Sequence, residues 1–561
     1  MNVDADFRSQ LQIELRGLAR AQHTTPAAAA FKASILREMK AIVRRNLPSS
    51  SDDDNESMMS ASTQGSRQRS SQQEKSSILA RNLRDLDPED AQAMLVKIYT
   101  GVSESLRRLS IQVKILLDIT SSLSRPPRSA PRSLVGSPNP ESQDGFLSPR
   151  SPLKGLPLIT LQEDIQQALD MSSLLGEAVD IIQAQITKVI KVRSAQTAHL
   201  PLASFLRFFT INRLFADECE AISGRGGQAL KNAVDGQIKE FVVQFSNQQR
   251  HDMIDVLDSD KWDAKDFGES ETSILGRVME SSTQDASIWN QTSTIWLRDD
   301  ERENDGMNGV AVNGKASSNT RDKIRSAVID EQRFILPESA ATILRTIESF
   351  QHLMTGIPSM GQEIANSLLE CLKLFNSRSS QLILGAGATR SAGLKNITTK
   401  HLALATQTLS FIVALIPYIR EFFRRYMAST ATNLMTEFDK VKRLYQDHQH
   451  AIHEKFIDIM GSRASIHIAA MKKIDWDEAA QAKTAPISPY VEALTKETGT
   501  LQKVLSKHLP EATVTSIMKP VFASYKEQWS TAYGEIPLRS SSAKERYVCS
   551  KVFQVPVTDS S

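Results

Sequence analysis

From about residue 334 to 533 one pattern repeats: apolar side chains at steps of three and four, punctuated by Pro337, Pro358, Pro417, Pro486, Pro489, Pro510 and Pro520. That spacing gathers the apolar set on one side of an α-helix, and proline ends or kinks such a helix. The same period runs upstream. Phe31, Ile35, Met39 and Ile42 share a helical face, and Leu95, Ile98, Val102, Leu106 and Leu109 form another behind an Asp87-Pro88-Glu89 start. Residues 161–192 and 230–257 continue it, separated by SGRGG, where Gly224, Gly226 and Gly227 end one helix and permit a left-handed turn. No run alternates apolar and polar residues between hairpin turns, and no unit of about 20–50 residues recurs. Aromatic residues make up only 6%, so aliphatic side chains carry the core. The expected fold class is all-α.

Composition divides the helical stretches. Residues 1–123 hold N-terminal helical segments with a polar, serine-rich insert at 49–77. Residues 124–157 are rich in proline and serine and read as an extended, solvated linker, and 299–330 form another polar linker. Between and beyond them lie a middle helical domain, 158–298, a C-terminal helical-bundle domain, 331–533, and an irregular tail, 534–561. The first of these linkers is basic and contains Ser137-Pro138, Ser148-Pro149 and Ser151-Pro152, so added phosphate there would reverse the local charge.

Several function classes are disfavoured at once. A net charge of +2 and pI ≈ 8.2 are too balanced for a chain-wide nucleic-acid field. Cys219, Cys371 and Cys549 form no CxxC pair and read as reduced thiols. The opening residues have no secretory pattern, and the longest apolar run, Leu409 to Ile419, is short and holds Pro417, which suits a buried helix. A cytosolic or peripheral protein is expected.

The stretch SSQLILGAGATRSAGLKNITTK, 379–400, invites a phosphate-loop reading. A Walker loop needs GxxxxGK[ST], because backbone amides must wrap the phosphates while the lysine reaches them. Counting from Gly385 places Arg390 where the second glycine belongs, and Leu394 separates Gly393 from Lys395. A dinucleotide fingerprint fails at the same arginine, and the helical spacing of Ile364, Leu368, Leu372 and Phe375 upstream is not a βαβ context. The favoured reading is a turn of small residues between packed helices, with Thr398 or Thr399 capping the next one. That helix has Leu402, Leu409, Ile412, Leu415 and Ile416 on its apolar side and should kink at Pro417.

Asp447, His448, His450, His453 and Glu454 have spacings that would suit a metal, but they sit in a strongly charged helix and read as a solvated face. Arg420, Arg424 and Arg425 form a short basic cluster beside Phe422 and Phe423, a candidate membrane contact. No GxSxG, HExxH or kinase signature occurs, so no catalytic residue, cofactor or metal ligand is assigned.

Residues 372–423, LKLFNSRSSQLILGAGATRSAGLKNITTKHLALATQTLSFIVALIPYIREFF, resemble the hallmark block of the vacuolar protein sorting-associated protein 54 family. Supporting blocks are ECEAISGRGGQALKNAVDGQIKEFVVQF at 218–245, LDSDKWDAKDF at 257–267 and YQDHQHAIHEKFIDIM at 445–460. The resemblance spans roughly Ile159 to Trp529. It implies an elongated rod of stacked helical bundles and a non-enzymatic subunit of the Golgi-associated retrograde protein (GARP) complex, which tethers endosome-derived carriers at the trans-Golgi network. Its implied partners are the other tethering subunits, SNARE proteins through an N-terminal coiled-coil region, and endosome-derived membranes held peripherally. The signature residues it marks are Asn376, Arg378, Gln381, Gly385, Gly387, Gly393 and Lys395, read as a structural turn. The chain opens without a long heptad coiled coil and leaves the helical pattern at Gly534, so a gene model cut short at both ends is expected. A stand-alone peripheral lipid-binding protein and a nucleotide-dependent helical enzyme are the competing readings.

Overall fold

The computed structural model describes residues 3–21, 23–48, 72–123, 171–224, 227–291, 325–427, 432–474 and 489–536. They form two compact units, residues 1–241 and 242–561, which divide within one helix. Both units are all-α bundles, as the 3.6-residue period requires.

The first unit contains α1 (Val3–Arg20), α2 (Thr24–Arg45), α3 (Gln72–Asp85), α4 (Pro88–Leu123), α5 (Met171–Val192), α6 (Ser194–Ala198), α7 (Leu202–Ser223) and the start of α8 (Gln228–Ser259). Helix α2 packs on α5, and α4 on α7. Leu95, Ile98, Val102, Leu106 and Leu109 are all buried, so the stripe read in α4 is its core face. Tyr99 stacks on Phe215 at 4.2 Å and donates to Asn212 Oδ1 at 2.6 Å, giving this core one satisfied polar pair. The face expected on α2 is rotated: Phe31 is 37% exposed, while Ala28, Met39 and Val43 are buried. Gly224 ends α7 at φ +67°, the left-handed cap its position suggested.

The second unit takes the rest of α8 with α9 (Glu269–Glu280), α10 (Ser287–Gln291), β1 (Ala327–Ile329), β2 (Gln332–Phe334), α11 (Glu338–Gly356), α12 (Gly361–Ile383), α13 (Ala388–Ser391), α14 (Thr399–Tyr426), α15 (Thr432–Lys472), α16 (Pro489–His508) and α17 (Glu511–Gly534). Helices α12, α14 and α15 pack together around Phe375, Phe411, Phe423, Phe438 and Tyr445, all fully buried. Each such side chain contributes about 1.5–3 kcal/mol of transfer free energy. Helices α16 and α17 cover α15. Helix α14 is the one helix among the described residues long and apolar enough to cross a membrane, but 72% of its most apolar window is buried within the protein. It runs on through Pro417 as a single element.

Two expectations need correction. Residues 72–77, assigned from their polarity to an insert, are the first turns of α3. Residues 327–334, divided between a linker and an all-helical domain, are an antiparallel hairpin with Ala327 opposite Phe334 and Ile329 opposite Gln332. Ala327, Ile329 and Phe334 are buried, and Phe334 meets Phe411 of α14 edge-on at 5.8 Å. Packing against α14 stabilises a hairpin too short to stand alone. Residues 49–71, 124–170, 292–324 and 537–561, including the three Ser-Pro sites, lie outside the described residues.

Candidate functional site

The glycine stretch is a turn folded back on the end of its own helix. Leu384 and Gly385 both donate their backbone N–H to the Ser380 carbonyl, at 2.9 and 3.1 Å, and Gly387 donates to the Gln381 carbonyl at 3.0 Å. Those amides are already engaged and do not form an open phosphate cradle. A Cβ on Gly385 would stand 2.6 Å from the Gln381 carbonyl oxygen, and one on Gly387 2.9 Å from it. The small residues thus admit the chain's own backbone. The positive-φ positions are Ala386, at 55°, and Gly393, at 68°. Lys395 is exposed beyond the turn. Thr398 then caps α14: its backbone N–H donates to His401 Nδ1 at 3.2 Å, and the His401 N–H returns to its hydroxyl at 3.4 Å.

The signature residues before the turn reach in three directions. Asn376 Nδ2 donates to the Leu444 carbonyl at 3.4 Å, and its Oδ1 lies 2.9 Å from His448 Nδ1, which joins α12 to α15. Arg378 makes a bidentate pair with Asp258, Nε and Nη2 both 2.7 Å from a carboxylate oxygen, and its Nη1 donates to Gln381 Oε1 at 3.1 Å. The pair holds the guanidinium pKa above its ordinary value.

Asp258 opens a strap, residues 258–267, that brings two of the family-like blocks together. Asp260 is 8% exposed. Its Oδ1 accepts the Trp262 N–H at 2.8 Å, an Asx turn, and its Oδ2 accepts the Ser339 N–H at 2.9 Å. Pro337, at the N-cap of α11, has no side-chain acceptor, so Asp260 supplies the cap and a negative charge from outside the helix. Trp262 adopts φ 53° and is only 1% exposed. Asp263 meets Lys400 of α14 at 2.7 Å, which lowers the Asp263 pKa. Asp266 takes the backbone N–H and the guanidinium of Arg325, at 2.7 and 2.9 Å, and its pKa falls for the same reason. The Lys265 N–H adds a hydrogen bond to the Leu336 carbonyl at 2.9 Å, and its ammonium pairs with Glu338. Four aspartates in nine residues each find a distinct partner, at the hairpin or on α11, α12 or α14, or, for Asp260, also within the strap.

The histidine cluster corrects another expectation. His448 is 7% exposed against Asn376, and His453 is half-buried, so the cluster is not a uniformly solvated face. Burial pushes both imidazoles down to about 4. His450 alone stands in solvent, 3.3 Å from Glu454. No group of three or more metal-ligating side chains converges among the described residues. The basic cluster on α14 is matched by carboxylates: Arg420 faces Asp439 at 3.3 Å, Arg424 donates to Glu421 at 2.8 Å, and Arg425 lies 3.2 Å from Asp285. Arg425 also donates to the Ser281 carbonyl at 2.5 Å, securing α14 to the end of α9.

This architecture surrounds the residues that a family comparison selects. Residues 331–463 match the family described as Vps54-like protein. The chain is similar to that family over this segment. It is 26% identical over 416 residues to vacuolar protein sorting-associated protein 54, chloroplastic, of Arabidopsis thaliana, covering 66% of this chain and 40% of that protein. It is 27% identical over 364 residues to vacuolar protein sorting-associated protein 54 of Homo sapiens, covering 62% of this chain and 35% of the human protein. Against the Schizosaccharomyces pombe protein of that name, identity is 23% over 407 residues, or 72% of this chain and 37% of the other. The matches to these relatives thus cover about two-fifths of their length or less. No solved structure matches it. The Vps54-like segment begins at Glu331, inside the hairpin turn, so the four strap aspartates lie upstream of it while Arg378, Ser339 and Lys400 lie within it.

Proposed function

We propose that this chain is a non-enzymatic subunit of a vesicle-tethering complex, the Golgi-associated retrograde protein complex. It acts in retrograde transport from endosomes to the trans-Golgi network. The carrying observation is the Vps54-like match over the part of the second unit that the strap secures, joined to relatives named for vacuolar protein sorting. Signature residues open to a chemical reading are engaged in packing: Asn376, Arg378 and the Gly385 and Gly387 amides all have internal partners. A helical scaffold of this kind works by holding surfaces in fixed geometry, and its partners are the other tethering subunits, SNARE proteins and endosome-derived membranes. Its place is cytoplasmic, peripheral on those membranes and the trans-Golgi network.

The test is affinity purification of the tagged chain from its own cells, with mass spectrometry of what is retained. Recovery of the other tethering subunits at comparable stoichiometry is the expected outcome. Recovery of none of them, with the chain folded, would refute the reading.

A further inference from the structure

A groove of about 1460 Å³ lies beside the strap, between the hairpin, the start of α14 and the α16–α17 corner. Its lining includes Arg325, Arg333, Lys400 and Lys507 against Asp263 and Glu331, four cations to two carboxylates. Lys400 is already matched by Asp263, and Arg325 by Asp266. Arg333 and Lys507 then stand against Glu331 alone, which leaves the groove a net positive charge, and both are exposed.

The corner adds donors. Helix α17 starts after Pro510, which has no side-chain cap to offer, and Ala512 and Thr513 of its first turn line the groove. The Thr513 N–H is taken by the Pro510 carbonyl at 3.0 Å, so the Ala512 N–H and the helix dipole are what favour an anion there. Glu511 belongs to that turn but does not line the groove. A second observation comes from His508, which also lines the groove, is 8% exposed, and has no hydrogen-bond partner at Nδ1. Burial first, then Lys507 and Lys400, hold its imidazole below the ordinary value, as expected where positive groups crowd without an anion.

The far wall suits a polypeptide. In a two-residue hairpin the Val328–Arg333 pair is the one without mutual hydrogen bonds, so each turns its backbone N–H and C=O outward from its own edge of the hairpin, and both residues line the groove. Val328 is 49% exposed, an apolar residue beside an open strand edge. Open edges of this kind accept an extended chain.

We propose that this groove docks an acidic peptide segment of a partner protein, seating one side-chain anion among Lys507, His508 and the Ala512 N–H at the start of α17. The excess charge sets the sign of the ligand, and the strand edge selects a peptide over a lone ion.

The test uses the full chain and a fluorescein-labelled octaglutamate peptide, read by anisotropy, with octaglutamine as the neutral control. Saturable binding of octaglutamate alone is expected. Lys507→Glu should weaken it about tenfold, the effect of ~1.4 kcal/mol, and Arg333→Glu should weaken it comparably from the hairpin side. Lys455→Glu, at an exposed site on α15 outside the groove, should change it less than about twofold. Unchanged melting of each variant shows that the fold is retained. No binding, or an equal loss with Lys455→Glu, overturns the proposal. So does Lys507-dependent capture by phosphatidylserine vesicles without peptide binding, which would make the groove a membrane subsite.

Discussion

The strap at 258–267 and the glycine turn at 384–393 both connect helices in the second unit, yet they are held by opposite means. The turn is local: its hydrogen bonds return to Ser380, Gln381 and Ala388, and its shape depends on side chains being absent. The strap is long-range: its carboxylates reach Arg378, 120 residues away, Ser339, 79 away, and Lys400, 137 away. A local turn is specified by which residues fit its backbone. A long-range strap is specified by partners that meet only once the helices have assembled. The first should fail sterically, and the second electrostatically.

The largest effect should come from Asp260→Ala, which strands two buried backbone N–H groups and removes the cap of α11. At about 1.5–3 kcal/mol per charge-assisted hydrogen bond, a loss of ~3–5 kcal/mol is expected in chemical unfolding of the second unit, and less than ~1 kcal/mol would erase the strap's distinction. Next comes Gly385→Val, expected to cost ~2–3 kcal/mol because the obstacle is backbone and cannot rotate away. Unchanged melting would show that the turn is not constrained as described. For Asp258→Asn with Arg378→Gln, a double-mutant cycle should give a coupling of ~1 kcal/mol, since the pair is bidentate but a third exposed. No coupling would make Asp258 an ordinary surface charge. Gly393→Ala should cost ~1 kcal/mol by dihedral strain alone, because open space surrounds the site. Acid sharpens the contrast with the smallest effect. Asp263 and Asp266 have pKa values held below their ordinary 3.8, so their ion pairs stabilise the strap above that pH and are lost as pH falls through the lowered values. Hydrogen-exchange protection should drop there at 263–267 but not at 384–393.

Much of this was legible because helices declare themselves locally. The core stripe of α4, the apolar side of α14, the Thr398 cap and the Gly224 terminus each follow from spacing within a few residues. The hairpin was not legible, since three-residue strands are too short for alternation to register, and its turn uses Asp330 and Glu331 at positive φ where asparagine and glycine are the usual signal. The burial of His448 was hidden for another reason: its neighbours along the chain are charged, and only Asn376 of another helix explains its place. Arg420, Arg424 and Arg425 read as a basic cluster because two of their carboxylate partners, Asp439 and Asp285, are remote in sequence.

The hairpin turn also bears on how the protein can be cut. A fragment starting at Glu331 would keep the whole Vps54-like match but discard β1 and every strap carboxylate, leaving α11 uncapped, Arg378 without its acid and the β1 side of α14 wet. The segment that resembles its relatives and the segment that can stand alone are therefore different lengths of chain, and an autonomous piece has to begin before Asp258.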